Sequence, residues 1–286
     1  MKPFLAYVAL ALLTLSVFGL WPEIDLVASH FFFDKGGFIG RSGLEKFGRD
    51  VFRVTPFVVL ALYALLWLLR RLGHWRFWAP SGRAMIFLIA TFAIGPGLVV
   101  NLSLKDHWHR PRPINTQPFN GPAEFKPWYD DGGACRKNCS FVSGEAASGF
   151  WMVAPASLLP SPARGPAMIA AFAFGAGASL LRMAFGGHFL SDVLLGGLVT
   201  LIIIEVARML LWQPGEDPSE PDPGPRRESL SAAEAVEAAL GSAVRQPSAG
   251  PPSPCAPRAG PLATAASASI KPTARPSGEV AAKRMS

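Results

Sequence analysis

Residues 182–212 read Arg182-Met-Ala-Phe-Gly-Gly-His188-Phe-Leu-Ser-Asp192-Val-Leu-Leu-Gly-Gly-Leu-Val-Thr200-Leu-Ile-Ile-Ile-Glu205-Val-Ala-Arg208-Met-Leu-Leu-Trp212. From 189 to 212 the run is apolar for long enough to cross a bilayer as a helix, since about 20 residues rising 1.5 Å each span a hydrocarbon core of about 30 Å. The residues at its mouth are of another kind, with an arginine, a histidine and an aspartate inside eleven positions. Ionisable groups gathered at the end of an apolar span put chemistry at a membrane surface.

Outward from there, apolar stretches recur at about 4–21, 54–69, 84–104, 146–163 and 165–181. With 189–212 they predict an all-α integral membrane protein, a six-helix bundle filling residues 1–212. The shortest, 54–69, qualifies because Arg53 and Arg70 at its ends can snorkel to the interfaces. Pro160, Pro162, Gly165 and Pro166 predict a tight turn between the fourth and fifth helices. Composition agrees: half of the 286 residues are hydrophobic, 16% are charged, and mean hydropathy is +0.29. That balance excludes both a pair of soluble domains and disorder throughout. Lys2 followed by an apolar run has the start of a secretory signal, but the run is long and no small-x-small site follows, so an uncleaved anchor is expected.

Past Trp212 the chain turns to Pro, Ala, Ser and Gly, with thirteen prolines. Residues 213–286 are therefore expected to form a disordered cytoplasmic tail, with one short helical stretch at about 229–244. This tail carries eight basic and eight acidic side chains, so the whole net charge of +7 belongs to residues 1–212, where 19 Lys and Arg meet 12 Asp and Glu. Those cations sit between the apolar runs rather than in one stripe, which points to membrane orientation and an anionic substrate and away from nucleic acid. Arg70, Arg71, Arg76 and Arg83 crowd the second connection and Arg164 the fourth, so both termini are expected in the cytoplasm and residues 105–145 and 182–192 on the far side.

Three polar segments then fall on one membrane face: Lys105 to Pro113, Phe141-Val-Ser143-Gly144-Glu145, and Arg182 to Asp192. Lys105 supplies a compact charge, and Arg112 and Arg182 supply planar forks for phosphoryl oxygens. Ser143 and Gly144 precede a helix, whose N-terminal N–H groups and dipole favour an anion. His188 and Asp192, four apart at a helix start, share a face, so the carboxylate can hold one ring nitrogen while the other attacks phosphorus.

These segments resemble the type 2 phosphatidic acid phosphatase superfamily, whose pattern is Lys-x6-Arg-Pro, Pro-Ser-Gly-His and Ser-Arg-x5-His-x3-Asp. The resemblance covers residues 1–212 and implies that Lys105, Arg112, Ser143, Gly144 and Arg182 bind phosphate, that His188 becomes a phosphohistidine and that Asp192 orients it. No metal and no cofactor are implied. Val142, Leu181 and Glu145 depart from the pattern, and only Glu145 touches chemistry, because it stands where the family has the histidine that protonates the leaving oxygen. Glu145 is expected to take over as that acid.

The function expected is hydrolysis of a phosphate monoester or pyrophosphate on a lipid headgroup, such as lipid A, undecaprenyl pyrophosphate or a phospholipid, at the periplasmic face of a bacterial inner membrane. A phosphotransferase using the same site and a catalytically dead lipid-binding scaffold are the alternatives; the vanadium haloperoxidases that share these residues are soluble. A disulfide between Cys135 and Cys139 is expected from their spacing and an oxidising compartment, with Cys255 free. His107 and His109 are read as interface packing, His30 and His74 as structural, Arg110 as an interfacial anchor and Glu205 as an ion pair with Arg208. Trp108, Trp128 and Tyr129 fit an aromatic belt or a headgroup rim.

Overall fold

The computed structural model describes residues 2–41, 43–75, 77–104 and 107–220, together with Glu237. Lys105, Arg76, Cys255 and the expected tail from 221 onward, including nearly all of the stretch at 229–244, lie outside the described residues.

Among the described residues the chain is mostly helical, and five helices are long and apolar enough to cross a membrane. These are α1 (Lys2–Leu20), α3 (Gly43–Arg71), α4 (Gly82–Phe92, continued to Val100), α7 (Arg164–Ala184) and α8 (Leu190–Leu211). Beyond Phe92, α4 widens into a π-helix over Ala93–Leu104. Pro96 offers no N–H there and Gly95 and Gly97 hold the helix weakly, which favours the looser winding. α1 keeps only Phe18 buried and turns Leu5, Leu10, Leu12 and Leu13 outward, a surface suited to lipid.

The fourth expected helix is not a single one. It divides into α5 (Gly144–Trp151) and α6 (Val153–Ser157). Pro155 has no N–H for the Trp151 carbonyl, and the Met152 N–H turns back to the Gly149 oxygen at 3.2 Å. The divided segment is the centre of the bundle all the same: Trp151, Ala154 and Leu158 are inaccessible to solvent and pack with Phe87 and Leu88 of α4. Small residues permit that position. A Cβ on Gly175 of α7 would lie 2.7 Å from the Phe150 ring, and one on Gly196 of α8 would lie 2.6 Å from the Ser143 oxygen.

Two elements were absent from the apolar pattern. α2 (Glu23–His30) follows α1 and buries two polar residues, Asp25 and Ser29. Strands β1 (Phe33–Asp34) and β2 (Gly37–Phe38) form a hairpin whose turn, Lys35 and Gly36, has positive φ at both positions, as a type I′ turn requires. Phe38, Phe33, Phe119 and His30 stack beside it, which gives His30 the structural place expected of it.

Residues 213–220 are tied to the helical body. Asp217 pairs with Arg164 at 2.5 Å, Glu216 with Arg83 at 3.2 Å, and the Ser219 oxygen accepts from the Trp78 indole at 3.2 Å. Glu205 pairs with Arg208 at 2.8 Å, as the sequence suggested.

Candidate active site

Between α7 and α8 the chain reverses at Gly186 and Gly187, and this turn carries His188 to the head of α8. Gly186 has φ +65°, a conformation that side chains resist. A Cβ on Gly187 would stand 2.4 Å from Arg182 Nη2, so the glycine is what lets that guanidinium lie against the turn. His188 is 1% exposed, and its Nδ1 donates to the Ser140 carbonyl at 2.6 Å. A carbonyl only accepts, so Nδ1 carries the proton and the lone pair of the neutral ring is on Nε2, the nitrogen a nucleophile needs.

Asp192 shares a face with His188, but its Oδ2 is 3.9 Å from Nδ1, so the direct bond that the spacing suggested is replaced by one to the Ser140 carbonyl. The carboxylate is occupied elsewhere. Oδ2 accepts from the Ser140 hydroxyl at 2.5 Å and from the Phe189 N–H at 2.9 Å, which caps α8, and Oδ1 accepts from Arg110 at 2.6 Å. Ser140 thus links the two, holding the ring by its carbonyl and Asp192 by its hydroxyl.

Arg110 is a correction to the sequence reading. It is no interfacial anchor but fully buried, donating to Asp192, to the Ser191 hydroxyl at 2.9 Å, to Asp25 at 2.7 Å and to the Lys126 carbonyl at 2.9 Å. Its guanidinium also lies 4.4 Å from the Phe189 ring centroid. Burial works against its charge, but Asp192 and Asp25 outweigh it and its pKa stands above the ordinary value. Burial pushes the Asp25 carboxyl up, against the pull of Arg110. Asp25 also accepts from the Ser191 N–H at 2.8 Å and hydroxyl at 2.6 Å, so α2 is fastened to the first turn of α8.

A second group of charges stands more open. Arg182 is 5% exposed, and its Nε is buried without a hydrogen-bond partner, 3.5 Å from Glu145 Oε2. Glu145, in the first turn of α5, takes a two-pronged contact from Arg49 of α3: Nη2 to Oε1 at 2.7 Å and Nε to Oε1 and Oε2 at 3.1 and 3.2 Å. Arg112 donates to Asn138, to its carbonyl at 2.9 Å and its side-chain oxygen at 2.8 Å, and burial lowers its pKa. Ser143 caps α5, its hydroxyl accepting from Ala146 N–H at 3.3 Å. The Ser143 N–H, expected to face an anion, instead donates to the Asp192 carbonyl at 3.0 Å.

Asn138 is presented by a small loop closed by the disulfide Cys135–Cys139, with Cα atoms 5.7 Å apart. His109 meets the Cys135 carbonyl through Nδ1 at 2.8 Å. Trp108 donates to the Trp128 carbonyl and Trp128 to the Leu15 carbonyl at 3.1 Å, so these indoles pack the loop onto α1, while Tyr129 is exposed. Of the residues singled out in the sequence, the structure gathers His188, Asp192, Glu145, Ser143, Gly144, Arg112 and Arg182 at one end of the helices; it adds Arg110, Asp25, Ser140 and Arg49.

An apolar helical body with arginines and a histidine gathered at one end defines a class, the multi-pass membrane proteins with a cationic site at the membrane surface. The chain belongs to the PAP2 superfamily, a family of phosphatases, whose model matches residues 83–214. It is similar to the lipid A 4′-phosphatase of Francisella tularensis subsp. novicida (strain U112), 38% identical over 203 residues that cover 70% of this chain and 91% of that protein. The lipid A 4′-phosphatases of Rhizobium leguminosarum and Rhizobium etli are 35% and 36% identical over 66% of this chain, covering 88% and 79% of those proteins. No solved structure matches the chain.

Proposed function

We propose that this membrane phosphatase removes the 4′-phosphate of lipid A, acting from the periplasmic face of a bacterial inner membrane. The observation that carries the reading is the similarity to a lipid A 4′-phosphatase across 91% of that protein's length. The geometry supports the chemistry. His188 attacks through Nε2: an N–P bond forms, the bond from phosphorus to the sugar oxygen breaks, and Glu145 gives that oxygen a proton. Water then displaces phosphate from the histidine and returns a proton to Glu145. Lys105, Arg112, Arg182 and the N-terminus of α5 with Ser143 and Gly144 hold the phosphoryl oxygens, so no metal is required.

The expected helix at 146–163 makes the sixth crossing, its helical part, α5 and α6, enclosed by its neighbours where freed backbone groups find partners; the Tyr63 hydroxyl donates to the Pro155 carbonyl at 2.7 Å. Arg70, Arg71, Arg83 and Arg164 then mark the cytoplasmic side, with the chain beyond 220 on that side as well. Purified enzyme incubated with lipid A is expected to release free phosphate, with tandem mass spectrometry placing the loss at the 4′ position. Turnover of undecaprenyl pyrophosphate or phosphatidic acid in place of lipid A would reassign the substrate. Binding of lipid A without phosphate release would leave a scaffold.

A further inference from the structure

Arg49 belongs to none of the three sequence segments, yet it brings a third guanidinium to the open charge group. We propose that Arg49 is a further phosphate-binding residue, and that Glu145 is a tethered carboxylate which it holds until a phosphate dianion takes Glu145's place. The proposal rests on the reading of this site as a phosphate pocket.

The contact between them is a fork on a carboxylate, with both Nε and Nη2 engaged. A guanidinium grips two phosphoryl oxygens in the same way. The pair is reachable, for the side chains of Arg49 and Glu145 are 33% and 20% exposed, and an ion pair open to solvent contributes little that a ligand must overcome. On the other side of Glu145 the buried Arg182 Nε lacks a hydrogen-bond partner at 3.5 Å from the carboxylate. A carboxylate has two oxygens and satisfies Arg49 at the expense of Arg182. A phosphate ester dianion has three peripheral oxygens and can satisfy both.

Charge also matches. Among the described residues, Arg49, Arg112 and Arg182 outnumber Glu145, and this excess of positive charge favours a monoester dianion. Phe185, its ring centroid 5.7 Å from the Arg49 guanidinium, gives that cation a second partner when the carboxylate leaves.

The test uses the full-length enzyme in detergent micelles, with orthovanadate as the phosphate probe and lipid A as substrate. Arg49→Ala is expected to raise both KM and the vanadate inhibition constant by about ten- to a hundredfold, the scale of a lost charge-assisted contact. Glu145→Gln, although slow in turnover, is expected to bind vanadate about tenfold more tightly because its competitor for Arg49 is gone. That gain should vanish in the double variant. Unchanged KM and vanadate inhibition in Arg49→Ala, or no tightening in Glu145→Gln, would overturn the proposal. If Arg49→Ala fails to fold, Arg49→Lys keeps the charge without the fork and should still raise KM; an unchanged KM there would overturn it equally. Wild-type enzyme indifferent to vanadate would instead remove the phosphate-pocket reading on which all this stands.

Discussion

Two ionic groups meet near the head of α8, and they differ in access to water. In the Asp25–Arg110–Asp192 group every side chain is at most 1% exposed and the arginine has several donors engaged. In the Arg49–Glu145–Arg182 group, side-chain exposures run from 6% to 33% and one guanidinium nitrogen is left unmatched. A closed, fully hydrogen-bonded set of charges is costly to assemble but hard to disturb once made. An open and incompletely matched set is suited to exchange partners with a ligand. The first group holds Ser140, which holds the His188 ring; in the reaction proposed above, the second receives the phosphate that His188 attacks.

Substitutions should separate the two roles, the largest effect coming at the nucleophile: His188→Ala abolishes phosphate release, while the protein keeps its thermal transition in micelles. If that variant unfolds as well, the histidine belongs to the closed group in function as well as in place. Glu145→Gln is expected to slow turnover of lipid A by about 10²–10⁴-fold, the range of a lost general acid, with a smaller defect on p-nitrophenyl phosphate, whose leaving group needs less protonation. Equal defects on both substrates would assign Glu145 to binding alone.

Arg110→Ala should act on stability before it acts on chemistry. It strands Asp25 and Asp192 in the interior, a loss of about 3–5 kcal/mol for a broken buried pair, read as a lowered unfolding midpoint in detergent. Arg49→Ala is expected to move that midpoint by less than about 1 kcal/mol, because its pair is half open. Equal destabilisation by the two would erase the distinction between the groups. The smallest effect on activity is expected at the chain's far end: truncation after 220 leaves the specific activity unchanged, and truncation after 212 lowers the midpoint by no more than about 1 kcal/mol through loss of the pairs to Arg83 and Arg164, both largely open to solvent.

The sequence made the open group partly legible and, of the closed group, only Asp192. His188, Asp192 and Arg182 share one short segment whose spacing carries meaning, and Glu145 follows a recognisable Ser-Gly pair. Arg49 reaches Glu145 from 96 residues away and Asp25 reaches Ser191 from 166, so no local pattern announces either contact. Arg110 and Arg112 are alternate residues of one Arg-Pro-Arg-Pro run; which of them turns inward is decided by carboxylates supplied from α2 and α8. Apolar runs located the long helices because lipid selects for length and hydropathy. The same criterion passed over α2, whose buried residues are polar, and merged α5 with α6, whose break at Met152 lies inside one apolar stretch.

The short strap of residues 213–220 bears on how force travels through the enzyme. α8 is a rod of 22 residues with the His188 turn at one end and the strap at the other. At that far end, Arg164 holds both Asp217 and Ser219, Arg83 holds Glu216, and the Trp78 indole holds the Ser219 carbonyl. A pull on the chain beyond 220 is therefore taken up by anchors on two other connections before it loads α8. The arrangement is that of a strain-relief collar on a cable: whatever tugs at the far end, the turn that carries His188 bears little of the load.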